Sequence, residues 1–178
     1  SDLVNNTVKD PYIFEFISLN NNYKEQELEN NMVSKIKDVL LELGKGFSFV
    51  GNQYKISVNN QDFYIDLLFY HLELRCYIVV ELKAGEFKPE YVGQIGFYVT
   101  AVDKLLKKEY DNPTIGLLLC REKNRVTVDW SLQSANVPIG VSTYKLNNQL
   151  PKNILDKLPT EEEINLHIYM ESGEKNEQ

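Results

Sequence analysis

The chain has 178 residues, 43% of them hydrophobic and 25% charged, with 19 Lys and Arg against 26 Asp and Glu for a net charge of −7. That fits one globular domain with a real core, and no run of about 18 apolar residues offers a transmembrane helix. No N-terminal stretch has the charged-then-apolar form of a signal peptide, and Cys76 and Cys120 each sit in an apolar run rather than a disulfide framework, so a cytoplasmic location without membrane contact is expected.

The acidity is uneven. Residues 159–178 carry six acids against one lysine, a net of −5, and the remainder is near neutral. A basic face for nucleic acid therefore stays open despite the overall sign.

Ser1 to Asp10 is polar. Pro11 to Leu19 is apolar and is read as a short helix docking on the core, followed by an Asn20-Asn21-Asn22 turn. From Tyr23 to Gly44, Leu28, Met32, Ile36, Val39, Leu40 and Leu43 recur at helical spacing, so one helix is expected, ended by Gly44 and Gly46. Glu25 and Glu29 lie near its start, where acids also favour the helix dipole. Phe47 to Val58 reads as a first strand, closed by Asn59-Asn60.

Asp62 to Gly85 reads as two further strands, with charges where a structural strand would avoid them. An antiparallel hairpin centred between Glu73 and Leu74 sets Asp66 opposite Glu81, Leu68 opposite Val79, Tyr70 opposite Tyr77 and Tyr64 opposite Lys83. The other face then holds only Ile65 with Leu82, Leu67 with Val80 and Phe69 with Ile78. A slip by one residue would push the charges into that apolar layer. The turn itself, His71-Leu72-Glu73-Leu74, lacks the Gly, Asn or Asp of a two-residue hairpin.

Pro89 opens a helix reaching about Lys108, with Val92, Ile95, Val99, Val102 and Leu106 on its packing face and Gln94 and Tyr98 stacked four apart. Asp111-Asn112-Pro113 breaks it, and Ile115 to Cys120 is a central strand in a β-α-β unit. The REKNR turn, Arg121 to Arg125, has three bases and one acid. Val126 to Leu132 and Ile139 to Leu146 read as two more strands, with Trp130 read as a core residue in preference to an exposed stacking platform. Pro151 to Leu158 leads to a last helix, where Thr160 and Glu163 form a capping box.

The cluster of Asp66, Glu81 and Lys83 has a definite chemistry. Two carboxylates suit Mg²⁺, which takes oxygen ligands and few carboxylates, and the Leu82 carbonyl between Glu81 and Lys83 could add a third oxygen. Lys83 could orient water and stabilise developing negative charge, as metal-assisted phosphodiester hydrolysis requires. The bland alternative is an ion pair on a half-exposed sheet. His71 and His167 lie away from the cluster, which argues against His-dependent nucleases and Ser-His-Asp hydrolases, and no zinc pattern or phosphate loop occurs.

Asp66 followed by Glu81-Leu82-Lys83 resembles the active-site signature of the PD-(D/E)xK nuclease superfamily, with Ile65 where the superfamily often has Pro. The longer segments LLELGKGFSFVGNQY, DFYIDLLFYHLELRCYIVVELKAGEFKPEYVGQIGFY, NPTIGLLLC and PIGVSTYKL resemble the C-terminal nuclease domain of the bacterial YhcG family, from about Asp10 to about Pro159. The resemblance implies an α/β, restriction-endonuclease-like αβββαβ core, a mixed central sheet flanked by helices with extra C-terminal strands and a helix. It divides the chain into an N-terminal segment (1–22), partly ordered, the nuclease-like domain (23–158), and an acidic C-terminal helix and tail (159–178). It implies Mg²⁺, or Mn²⁺, held by Asp66, Glu81 and the Leu82 carbonyl, with Lys83 activating or orienting water. Auxiliary roles fall to Gln94 and Tyr98, as in the RecB-like branch, and to Glu29 or Glu25 from the first helix. DNA is the implied partner with RNA as the alternative. The start without Met fits a fragment preceded by a helical domain, and a homo-oligomer is left open.

Two other classes remain at this level. One is a nuclease-like fold that binds nucleic acid or assembles proteins without cleavage, motivated by the acidic charge. The other is a sugar-cleaving enzyme using Asp66 and Glu81 as its carboxylate pair, which leaves Lys83 without a purpose.

Overall fold

The computed structural model describes residues 7–17 and 22–146. The last helix, the acidic tail, the Pro151 to Leu158 connection and His167 lie outside the described residues, as do residues 1–6 and 18–21 of the N-terminal segment.

A six-stranded mixed sheet, ordered β1-β6-β5-β4-β3-β2, forms the centre. Its strands are β1 (Tyr12–Phe14), β2 (Phe47–Val58), β3 (Gln61–His71), β4 (Cys76–Leu82), β5 (Ile115–Cys120) and β6 (Ile139–Leu146). The helices are α1 (Glu25–Ser34), α2 (Ile36–Leu43), α3 (Glu90–Leu105) and α4 (Arg125–Gln133). Strands β2, β3 and β4 make an antiparallel meander, whereas β4, β5, β6 and β1 run parallel. From α1 to β5 this is the expected α/β core, with α1 and α2 together taking the place of the first helix.

Two apolar layers sandwich the sheet. Leu67, Phe69, Ile78, Val80 and Leu82 pack with Leu28, Met32, Val39 and Leu43 of α1 and α2. Ile65, Leu68, Val79 and Leu118 pack with Val92, Ile95, Val99 and Val102 of α3. Gly116 lets α3 approach β5: a Cβ there would lie 3.0 Å from Val99 Cγ2 and 3.1 Å from Ile95 Cγ1 and Cδ1.

The β3–β4 register is the expected one, with Leu67 opposite Val80 and Tyr70 opposite Tyr77. Its turn is wider than two residues. The ladder closes at His71 and Cys76, Arg75 takes the left-handed conformation (φ 51°), and the Leu74 amide donates to His71 Nδ1 at 3.1 Å. The imidazole thus does the holding that a turn glycine would otherwise make unnecessary.

Five expectations are corrected. The single helix over 23–44 is two, because Ser34 Oγ bonds the Asn31 carbonyl and the Lys35 amide is shared between the Asn31 and Met32 carbonyls. Pro11 to Leu19 contains a strand, not a helix. Tyr12 and Phe14 are buried and Ile13 exposed, a period of two, and the strand pairs in parallel with β6. Val126 to Leu132 is helical despite its β-branched alternation. Asn124 Oδ1 accepts the Thr127 amide as a helix N-cap, and joining two parallel neighbours requires a crossover. Trp130, on that helix, is 72% exposed and not part of the core. Finally, Ile65 does not share a face with Leu67, since it packs beneath α3, so β3 has apolar residues on both faces and the charges lie where the alternation changes.

Candidate active site

The alternation changes at Asp66. Below Leu67 and Val80 the β3–β4 ladder stops and side chains replace backbone partners. The Asp66 amide donates to Glu81 Oε1 at 3.3 Å, and the Leu82 amide donates to Asp66 Oδ2 at 2.9 Å. Each acid therefore satisfies an amide at the point where the strands part. This requires short acceptors directly across from each other, which is what the register supplies.

Glu81 is only 3% exposed and Asp66 is half-buried, and their carboxyl groups are in hydrogen-bonding contact. Burial raises both above their ordinary carboxylate values, and for Glu81 the neighbouring Asp66 charge pushes further in the same direction.

Lys83 follows the end of β4. Its backbone is tied down on both sides: its amide donates to the Leu119 carbonyl at 2.8 Å, and its carbonyl accepts the Tyr144 hydroxyl at 2.9 Å. Tyr144 is itself hydrogen-bonded to Tyr23. The Lys83 ammonium lies 4.7 Å from the Tyr91 ring centroid. There it makes no ion pair with a described carboxylate, although its charge reaches both Asp66 and Glu81.

Both acids weighed on the first helix reach this region, by different routes. Glu25 Oε1 accepts the Ala84 amide at 3.0 Å, bracing the residue after Lys83. Glu29 is 3% exposed and raised by burial, and it accepts Gln53 Nε2 at 2.6 Å and Asn52 Nδ2 at 3.5 Å. Gln53 Nε2 also lies 3.4 Å from Asp66 Oδ1. On α3, Tyr98 is buried, hydrogen-bonded to the exposed Gln94, and its hydroxyl is raised by burial and by the charges of Glu81 and Asp66.

Sequence reasoning left Tyr144 and Tyr23 without roles here and gave Gln53 no more than a supporting place around the site. The only sequence signal for Gln53 is its place in β2, and nothing there announces its left-handed backbone (φ 43°), a conformation costing a non-glycine residue about 1–2 kcal/mol.

A divalent cation fits the donor set. Among the described residues no three His, Cys, Asp or Glu side chains converge, but buried Glu81 and half-buried Asp66 do, and a hard cation such as Mg²⁺ takes one or two carboxylates with water for the rest. Asp66, Glu81 and the Leu82 carbonyl would hold the ion, with Glu29 near.

Residues 5–159 match the model of the YhcG PDDEXK nuclease domain. The chain is 34% identical over 151 residues to the "Putative nuclease YhcG" of Escherichia coli (strain K12), covering 85% of this chain and 40% of that protein. It therefore spans less than half the length of that relative. Among solved structures it is similar to a repair endonuclease from Pyrococcus abyssi (TM-score 0.48, 17% identity, 74% of this chain and 50% of that one). It is also similar to EndoMS in a complex with double-stranded DNA (TM-score 0.47, 15% identity, 73% and 48%).

Proposed function

The chain belongs to the family of YhcG PDDEXK nuclease domains, and from that premise we propose that it hydrolyses DNA phosphodiester bonds in a divalent-metal-dependent reaction centred on Asp66, Glu81 and Lys83. The observation that carries the proposal is the pair of carboxylates, Glu81 buried and Asp66 half-buried, that take each other's strand amides where β3 and β4 part, with Lys83 two residues on from Glu81. Mg²⁺ held there would supply Lewis-acid stabilisation of the phosphate charge. The chain's own residues divide the remaining work. Asp66 and Glu81 present oxygens whose directions are set by the Leu82 and Asp66 amides. Lys83, pinned through its backbone with its ammonium against the Tyr91 ring, orients the attacking water and stabilises charge developing on the phosphoryl oxygens. Tyr98 and Gln94 edge the site, where they contact substrate or hold Lys83 in place.

The closest charges are acidic, so strong binding to a polyanion depends on the cation and on surfaces outside this cluster. The Escherichia coli relative is more than twice as long as the matched segment, which agrees with a further domain sharing substrate contact. Purified Glu81→Ala and Lys83→Ala proteins should retain the fold and lose Mg²⁺-dependent cleavage of labelled DNA. Undiminished cleavage by both would overturn the assignment, and metal binding without cleavage in the unmodified protein would leave a nucleic-acid-binding module instead.

A further inference from the structure

We propose that Gln53 is a positioning residue that joins the helix acid Glu29 to the strand acid Asp66 through a neutral donor and so sets the spacing of the cation-holding carboxylates. This rests on the metal-dependent reading above.

The geometry begins with a broken rule. Consecutive residues of a strand face opposite sides of a sheet, yet Asn52 and Gln53 both donate to Glu29, at 3.5 and 2.6 Å. The left-handed backbone of Gln53 makes this compatible with a continuing ladder, since Asn52 still pairs with Leu67 and Tyr54 with Ile65. Gln53 thus sits directly opposite Asp66. Its single –NH₂ group has two protons, and it has two carboxylate acceptors, Glu29 Oε2 at 2.6 Å and Asp66 Oδ1 at 3.4 Å. With the Leu82 amide on Oδ2, both oxygens of Asp66 are held.

The donor's neutrality is the second part of the argument. A buried acid such as Glu29 could be satisfied by Lys or Arg, and no described ion pair involves Glu29 or Asp66. An amide satisfies the oxygen lone pairs without cancelling their charge, so the negative potential is kept for a cation. An ammonium in the same place would occupy the cation's role. A strained backbone at a residue that bridges two acids is what a device for positioning them looks like.

The test is Mn²⁺ binding to the protein without nucleic acid, followed by calorimetry, in Gln53→Gly and Gln53→Lys variants. Glycine accepts the left-handed backbone freely, so Gln53→Gly should melt close to the unmodified protein while its Mn²⁺ affinity falls by about ten-fold, as for loss of other groups that orient metal ligands. Gln53→Lys keeps a donor but adds charge, and its affinity should fall further than that of the Gly variant. The Mg²⁺ concentration for half-maximal DNA cleavage should rise in the same order. Unmodified Mn²⁺ affinity in either variant overturns the proposal, as does a large fall in melting temperature for Gln53→Gly, which would mark a role in folding. Glu81→Ala serves as the control. If it loses Mn²⁺ binding while Gln53→Gly keeps it, the Gln53 inference alone fails. If Glu81→Ala keeps Mn²⁺ binding, the metal-dependent reading fails and this inference with it.

Discussion

Strands β3 and β4 contain two regions built on opposite principles. From Leu67 to His71, paired with Cys76 to Val80, backbone groups satisfy one another and side chains fill apolar layers on both faces. From Asp66 to Glu81 and Leu82, carboxylates take the amides, and half-buried Asp66 meets buried Glu81. The first region gains stability from burial. The second gives some of it up, because its acids are desolvated and repel. One hairpin thus anchors the domain at one end and gathers two carboxylates at the other.

Substitutions should separate the two regions cleanly. The largest effect is expected at the fork, where Glu81→Ala or Lys83→Ala should remove Mg²⁺-dependent cleavage altogether without lowering the melting temperature. In the ladder the loss should instead be stability. Phe69 is fully buried, its ring centroid 6.0 Å from that of Phe47 and 5.7 Å from that of Phe49. Phe69→Ala should cost about 3–5 kcal/mol in denaturant titration while the folded fraction keeps its rate per molecule. Loss of catalysis disproportionate to loss of folded protein would show that the two halves are not separable.

A smaller effect should appear in the pH dependence of stability. Glu81, Asp66 and Glu29 are all raised in the folded protein by burial. The folded state therefore binds more protons than the unfolded one, starting from the ordinary glutamate value of 4.5. Their stabilising contribution is full below the unfolded values and is lost as pH rises toward the folded ones, so metal-free stability should decline across that window. Mg²⁺ should restore it, and Glu81→Gln should flatten much of the slope. A metal-free melting temperature that rises with pH over this window in the unmodified protein, and is unaltered by Glu81→Gln, would remove the buried pair from the account. The smallest effect belongs outside both regions: Trp130→Ala, on the exposed face of α4, should change stability by no more than about 0.5 kcal/mol. A substantial fall in DNA affinity for that variant would identify the indole as a contact surface.

Much of this hairpin was legible in the chain itself. Alternating and continuous apolar runs restrict register because a one-residue slip inverts every side chain, and the same constraint brought Asp66 across from Glu81. The resemblance of Glu81-Leu82-Lys83 and its flanking segments to a nuclease family pointed to the fold and to the chemistry. Local pattern failed where a long-range requirement decided. Val126 to Leu132 has a strand's alternation, but parallel β5 and β6 demand a crossover, and Asn124 caps a helix there. Tyr12 to Phe14 is too short to declare itself, and only the open edge of β6 makes it a strand.

The site divides along the same line. Periodicity and hydropathy determined which acids face one another, because strand pairing is a property of sequence spacing. Tertiary structure alone decided that Glu29 is linked to Asp66 by way of Gln53, and that Tyr144 holds the Lys83 carbonyl. Those partners are separated by 13 to 61 residues, and the more distant ones meet only because α1 packs against β4 and β6 joins the sheet beside β5. A left-handed residue in the middle of a strand leaves no periodic trace, and its cost is sustained only by contacts that exist after folding.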